Sequence, residues 1–197
     1  MMKSNKMKMI ISIVLVGLLG LSVFGVAYAS FMDRSKFEGA TIKVGSADIK
    51  LVSNLALPAD PPNLVDTMPG PLLNNVYPGF VLDYPVKVFN NTSGSLILTS
   101  NADYVTLNDP SELRQLIFVE ILAWYDENQN GLVEADEIQS SFGRKSIVKW
   151  KTEGFSLGSI NSYADMGLVF RFSADSIPDS KQGAIGTFDF EISSRNP

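Results

Sequence analysis

The 197-residue chain carries 16 Lys and Arg against 21 Asp and Glu, a formal net charge of −5, and contains neither histidine nor cysteine. Without those two residue types there is no Ser-His or Cys-His catalytic pair, no imidazole or thiolate zinc site and no disulfide, so a bound metal must be held by oxygen. The acidic balance also disfavours nucleic acid and anionic membrane as partners.

The chain opens on Lys3, Lys6 and Lys8, followed by an uncharged apolar run from Met9 to Ala29 that ends in Ala27-Tyr28-Ala29. Gly25, just ahead of that tripeptide, is placed to end a helix. A basic start, an apolar stretch and a small-x-small site make up a secretory signal, so residues 1–29 are read as a signal peptide cut after Ala29 by a signal peptidase. The run is also long enough to span a bilayer, and the membrane is a partner only if the segment is retained as an anchor. Residues 1–29 hold three of the 16 basic residues and none of the acidic ones, leaving 13 against 21 and a net charge of −8. That balance suits a secreted, extracellular protein that binds divalent cations.

Residues 30–40 place the apolar side chains of Phe31, Met32 and Phe37 among charges and promise no local structure of their own. Thr41–Val44 and Asp48–Val52 alternate as a strand, and the Gly45-Ser46 step between them predicts a bulge or sharp bend. Six of the ten prolines fall within residues 57–78, which reads as a long extended loop. From Phe80 the alternation resumes, with Leu82, Tyr84, Val86 and Val88 on one face and Asp83 and Lys87 on the other. Asn90-Asn91-Thr92-Ser93-Gly94 turns the chain, and Ser95–Ser100 returns as the next strand. Asn90 and Asn91 each begin an N-x-[ST] sequon and are glycosylation candidates, although a plain hairpin turn is the preferred reading. Asn108–Gln115 reads as one capped helical turn.

Asp126–Glu137, DENQNGLVEADE, fits the calcium-loop pattern D-x-[DN]-x-[DN]-G-x5-E at all its specified positions. Calcium takes six to eight oxygens, and a loop curling round it supplies side chains from positions 1, 3 and 5, here Asp126, Asn128 and Asn130. Gly131 allows the sharp turn at position 6, Leu132 offers its carbonyl, Glu134 can act through water, and Glu137 closes the set with two oxygens. Val133 is expected to point back into the core. The plainer alternative is a bare hairpin on Asn130-Gly131, a strong two-residue turn signal that does not require Asp126, Asn128 or Glu137. The entry, Phe118–Tyr125, is β-branched and aromatic, so a strand rather than a helix leads into the loop. Ser146–Lys151, Leu168–Phe172 and Thr187–Ile192 also read as strands, with Phe188, Phe190 and Ile192 facing inward. About eight short strands and no helical period beyond the signal predict an all-β fold, an antiparallel β-sandwich of jelly-roll type over residues 41–197.

In their order along the chain, several features resemble the TasA/camelysin family of secreted proteins. They are Phe31-Met32-Asp33 after the cleavage site, the strand from Thr41 to Leu51 with its Gly45-Ser46 step, and Tyr77-Pro78-Gly79 leading into Phe80–Phe89 and the Asn90–Gly94 turn. Lys181-Gln182-Gly183 ahead of Phe188-Asp189-Phe190 completes the set. The resemblance implies a non-enzymatic jelly-roll subunit whose N-terminal segment, with Phe31, Met32 and Phe37, inserts as a donor strand into the next copy. The product is a head-to-tail homopolymer, a biofilm-matrix or pilus-like fibre outside the cell. The chain departs from the family in its longer proline-rich stretch and in a calcium loop that only some relatives share. It also lacks the histidines that camelysin's metalloprotease label would require. The alternative function is an envelope-anchored, monomeric calcium-binding adhesion or binding module.

Overall fold

The described residues form eleven strands, β1 (Thr41–Gly45), β2 (Ile49–Val52), β3 (Leu64–Val65), β4 (Thr67–Pro69), β5 (Phe80–Asn90), β6 (Leu96–Asp103), β7 (Ile117–Trp124), β8 (Ile138–Ser146), β9 (Phe155–Ile160), β10 (Asp165–Ala174) and β11 (Asp189–Arg195), with one short α-helix, α1 (Ile147–Glu153). This computed structural model describes residues 41–45, 48–71, 73, 76–181 and 184–197. The signal segment, Phe31, Met32 and Phe37 lie outside the described residues, as do Ser46, Gln182 and Gly183.

The strands form two sheets, one in the order β4-β1-β11-β6-β9 and the other β3-β2-β5-β10-β7-β8. From β5 onward the chain passes between sheets at each connection except the β7–β8 hairpin, which gives the strand order of a jelly roll. Every described pair is antiparallel apart from β1 and β11. The exception has a topological cause: β2 stands before β5 in the same sheet, and this additional reversal brings β1 alongside β11 in the same direction.

The core lies between the sheets. Val86 and Val88 from β5, Ile121 from β7, and Phe170 and Phe172 from β10 face Leu98 from β6 and Phe190 and Ile192 from β11, all of them buried. Trp150 of α1 is also fully buried and stacks on Phe190 with ring centroids 4.6 Å apart.

Two expectations are corrected. Residues 147–153 are a helix, not a strand. The Ser146 hydroxyl accepts from Lys149 N at 3.3 Å, Gly154 ends the helix at φ 64°, and the buried pair Ile147 and Trp150 is spaced one helical turn apart. Thr41–Val52 is not one bent strand either. β1 and β2 belong to opposite sheets, so the chain changes layer between Gly45 and Ile49. The capped turn expected near residue 110 is built by Asp109, whose buried carboxylate accepts from Leu113 N at 2.7 Å and Arg114 N at 3.1 Å.

Candidate metal centre

The β7–β8 hairpin carries the loop, and its neck is closed by Tyr125 N donating to Glu137 O at 3.0 Å. Within it the polar side chains curl onto their own backbone. Asp126 Oδ1 accepts from Asn130 N at 3.0 Å, and Oδ2 accepts from Gly131 N at 3.1 Å. Asn128 Oδ1 accepts from Asn130 N at 2.9 Å, and Asn130 Oδ1 accepts from Leu132 N at 2.7 Å. Glu137 reaches back across the hairpin, where Oε1 accepts from Glu127 N and Oε2 from the Trp124 indole N–H, each at 3.0 Å. Glu134 accepts from Asn128 Nδ2 at 2.8 Å. Asp126 and Glu137 are buried, Leu132 is exposed, and Val133 packs against the cluster of Leu122, Trp124 and Val169, as expected of a side chain turned back into the core.

Two neighbours of the loop come from distant parts of the chain. Lys87 of β5 donates to Asp126 Oδ2 at 2.6 Å and to Leu55 O at 3.1 Å, with its ammonium 5.1 Å from the centre of the Trp124 ring. Burial pushes the Asp126 carboxyl up, but Lys87 and the backbone N–H groups of Gly131 and Asn130 outweigh it and hold the group below its ordinary value. The second neighbour is the loop of residues 53–63, folded round the buried Asn63 amide. Asn63 Oδ1 accepts from Ser53 Oγ and Asn54 N, each at 2.7 Å, while Nδ2 donates to Asn54 O and Pro58 O, each at 2.9 Å. This loop presses on position 6 so closely that a Cβ on Gly131 would stand 2.7 Å from Ala56 N. Between the two loops and the start of β10 lies a half-open cavity of about 590 Å³, lined by Leu55, Lys87, Trp124, Asp126, Phe142 and Met166 among others.

The donor set fits a hard cation. Asp126 Oδ1 and both Glu137 oxygens each accept one hydrogen bond, which leaves each a further lone pair, and a positive group already stands on Asp126 in the form of Lys87. Among the described residues no three acidic side chains converge on one point. A cation held here would also need the amide oxygens of Asn128 and Asn130 and the Leu132 carbonyl, the further donors of the motif.

The sequon residues separate. Asn90 is fully buried, donating to Gly94 O at 2.8 Å and Asn161 O at 2.9 Å and accepting from Thr92 N, which makes it a turn residue. A glycan on its Nδ2 would replace one of the two donated hydrogens at a fully buried residue. Asn91 is exposed and donates to Asp48 Oδ2 at 2.7 Å.

No protein-family model, curated protein or solved structure matches the chain. Its function must be read from the loop, the cavity and the sheet edges. Among the described residues no helix is long and apolar enough to cross a membrane.

Proposed function

We propose that the chain is a secreted structural subunit of the TasA/camelysin type. In this reading Ca²⁺ braces the sandwich at the β7–β8 hairpin, and residues 30–40 add as a strand to the next copy, building a head-to-tail extracellular fibre. The bound ion would supply a cross-link: Asp126, Asn128, Asn130, Leu132 and Glu134 hold it from the outgoing limb, and Glu137 from the point where β8 begins.

The observation that carries the polymer is the outer edge of β9, which no other described strand pairs. An edge strand presents unpaired backbone donors and acceptors, and proteins guard such edges with charge, proline, brevity or a bulge. β3 has two residues, β4 has three and contains Pro69, and β8 carries Arg144 and Lys145. β9 has six residues, Phe155-Ser156-Leu157-Gly158-Ser159-Ile160, with a bulge but neither charge nor proline. Phe155, Leu157 and Ile160 hold it to the core, while Ser156, Gly158 and Ser159 are exposed, so an extended peptide finds a small, uncharged surface beside the ladder. Electron microscopy of the protein beginning at Ser30, at high concentration and with calcium, should show fibres. Monodisperse particles at every calcium concentration and pH would overturn the reading.

The cavity beside Lys87 favours a second reading, a monomeric binding module anchored by residues 9–29. The mass of the native protein separates the two: a chain that begins near Ser30 has no anchor, and an intact start has no free donor strand.

A further inference from the structure

Lys87 is the feature of the loop that the motif does not contain. Its side chain is 12% exposed and the carboxylate it meets is 1% exposed, so the pair is largely withdrawn from water. Two further contacts fix its position, the hydrogen bond to Leu55 O and the face of Trp124. The same indole donates to Glu137 Oε2, so one connected set of side chains holds Asp126 and Glu137, the first and last positions of the loop. The Lys87 ammonium is a tethered monovalent cation placed where a divalent one is to be bound.

Resting on the calcium reading, we propose that Lys87 is a tethered counter-ion of the loop, which keeps Asp126 in its ligand position without metal and weakens the site for Ca²⁺. Without a cation, the burial of Asp126 would be offset by two backbone N–H groups alone, and the like charges of Glu134 and Glu137 would oppose closure of the hairpin. Lys87 removes that penalty, so the loop does not have to melt when calcium is scarce. The cost appears on binding. Because Lys87 occupies Oδ2 and Oδ1 keeps the free lone pair, ammonium and metal share one carboxylate and repel each other. A like charge beside a divalent ion in a partly screened site is worth about a decade in affinity. The site is thereby set to fill at the high calcium of an extracellular medium rather than at trace levels.

Lys87→Met keeps the length of the side chain and removes its charge, and Lys87→Arg keeps the charge. Calcium titration calorimetry and thermal melts on the native protein and both variants test the proposal, with Glu137→Gln reporting on the site itself. Lys87→Met should bind calcium about tenfold more tightly, melt below wild type in chelator, and recover most of that gap in saturating calcium. Lys87→Arg should stay within about twofold of the wild-type affinity. If Lys87→Met does not fold in chelator, competition against a chelating indicator from the loaded state reads the same affinity. Wild type that binds calcium alongside a Lys87→Met whose affinity is unchanged or weaker overturns the counter-ion and leaves the calcium site standing. No binding by either protein overturns the site and the counter-ion together.

Discussion

Gly131 is the residue on which two loops meet, with φ +74° and the backbone of Ala56 where a side chain would begin. Gly131→Ala combines a left-handed backbone with a clash against main chain that cannot rotate away, and should lower stability by about 1–3 kcal/mol with or without calcium. Glu137→Gln acts differently. It halves the charge available from the two buried ligands and should abolish most of the calcium-dependent rise in melting temperature, whereas Glu127→Gln, exposed and at a non-ligand position, should keep it. In wild type the rise corresponds to about 2.7 kcal/mol at a calcium concentration one hundred times the dissociation constant. Asp126 also sets a pH dependence. Its folded-state carboxyl is held below the ordinary 3.8, so its contribution is present above that value and lost as pH falls through the lower one. Asp126→Asn should therefore show a smaller loss of melting temperature than wild type between about pH 5 and about pH 3, measured in chelator. At this scale the loop was legible because its residues lie within twelve positions and the spacing itself carries the chemistry. Lys87 was legible as an outward-facing residue of a strand, but its partner is 39 positions away and nothing local points to it.

Among the elements, α1 shows where local pattern fails. Two turns are too few for a helical period to emerge, and the β-branched Ile147-Val148 start looks like a strand. The helix exists because Trp150 fills the centre of the sandwich, in contact with Phe155, Phe170 and Phe190. Its indole N–H has no hydrogen-bond partner among the described residues. Trp150→Ala should cost about 3–5 kcal/mol. Trp150→Phe should cost far less, about 1–2 kcal/mol, because the smaller ring leaves a cavity but removes an unsatisfied buried donor. Urea unfolding of both variants checks the difference. Asn63 plays the matching role in the proline-rich stretch, where composition announces a loop but not that one amide organises it. β5 and β11 were readable from alternation, and β7 and β10 from apolar runs whose Ile121-Leu122 and Leu168-Val169-Phe170 are buried on both faces. β8 was not, since only Ile138, Phe142, Gly143, Lys145 and Ser146 along it are even half-buried. The β1–β11 pairing was also hidden, because parallel contact between the two ends of the domain leaves no mark on either segment.

For the whole molecule, the strand count and the lack of a helical period led to the sandwich that is observed, while the edge available for assembly emerged only from the strand order. A jelly roll has two sheets and four edges. Three of them are short or charged, and the fourth, β9, is neither. Placing lysine at Ser156 and Ser159 guards that edge without touching the core, since both side chains are exposed. The double variant Ser156→Lys/Ser159→Lys should melt within about 1 kcal/mol of wild type in stability. Sedimentation of the protein beginning at Ser30, in calcium and at high concentration, compares the two directly. Wild type should pellet as fibres and the double variant should remain in the supernatant as a folded monomer. Equal pelleting of both would show that strands are not added at β9, and wild type that never leaves the supernatant would contradict the fibre subunit itself.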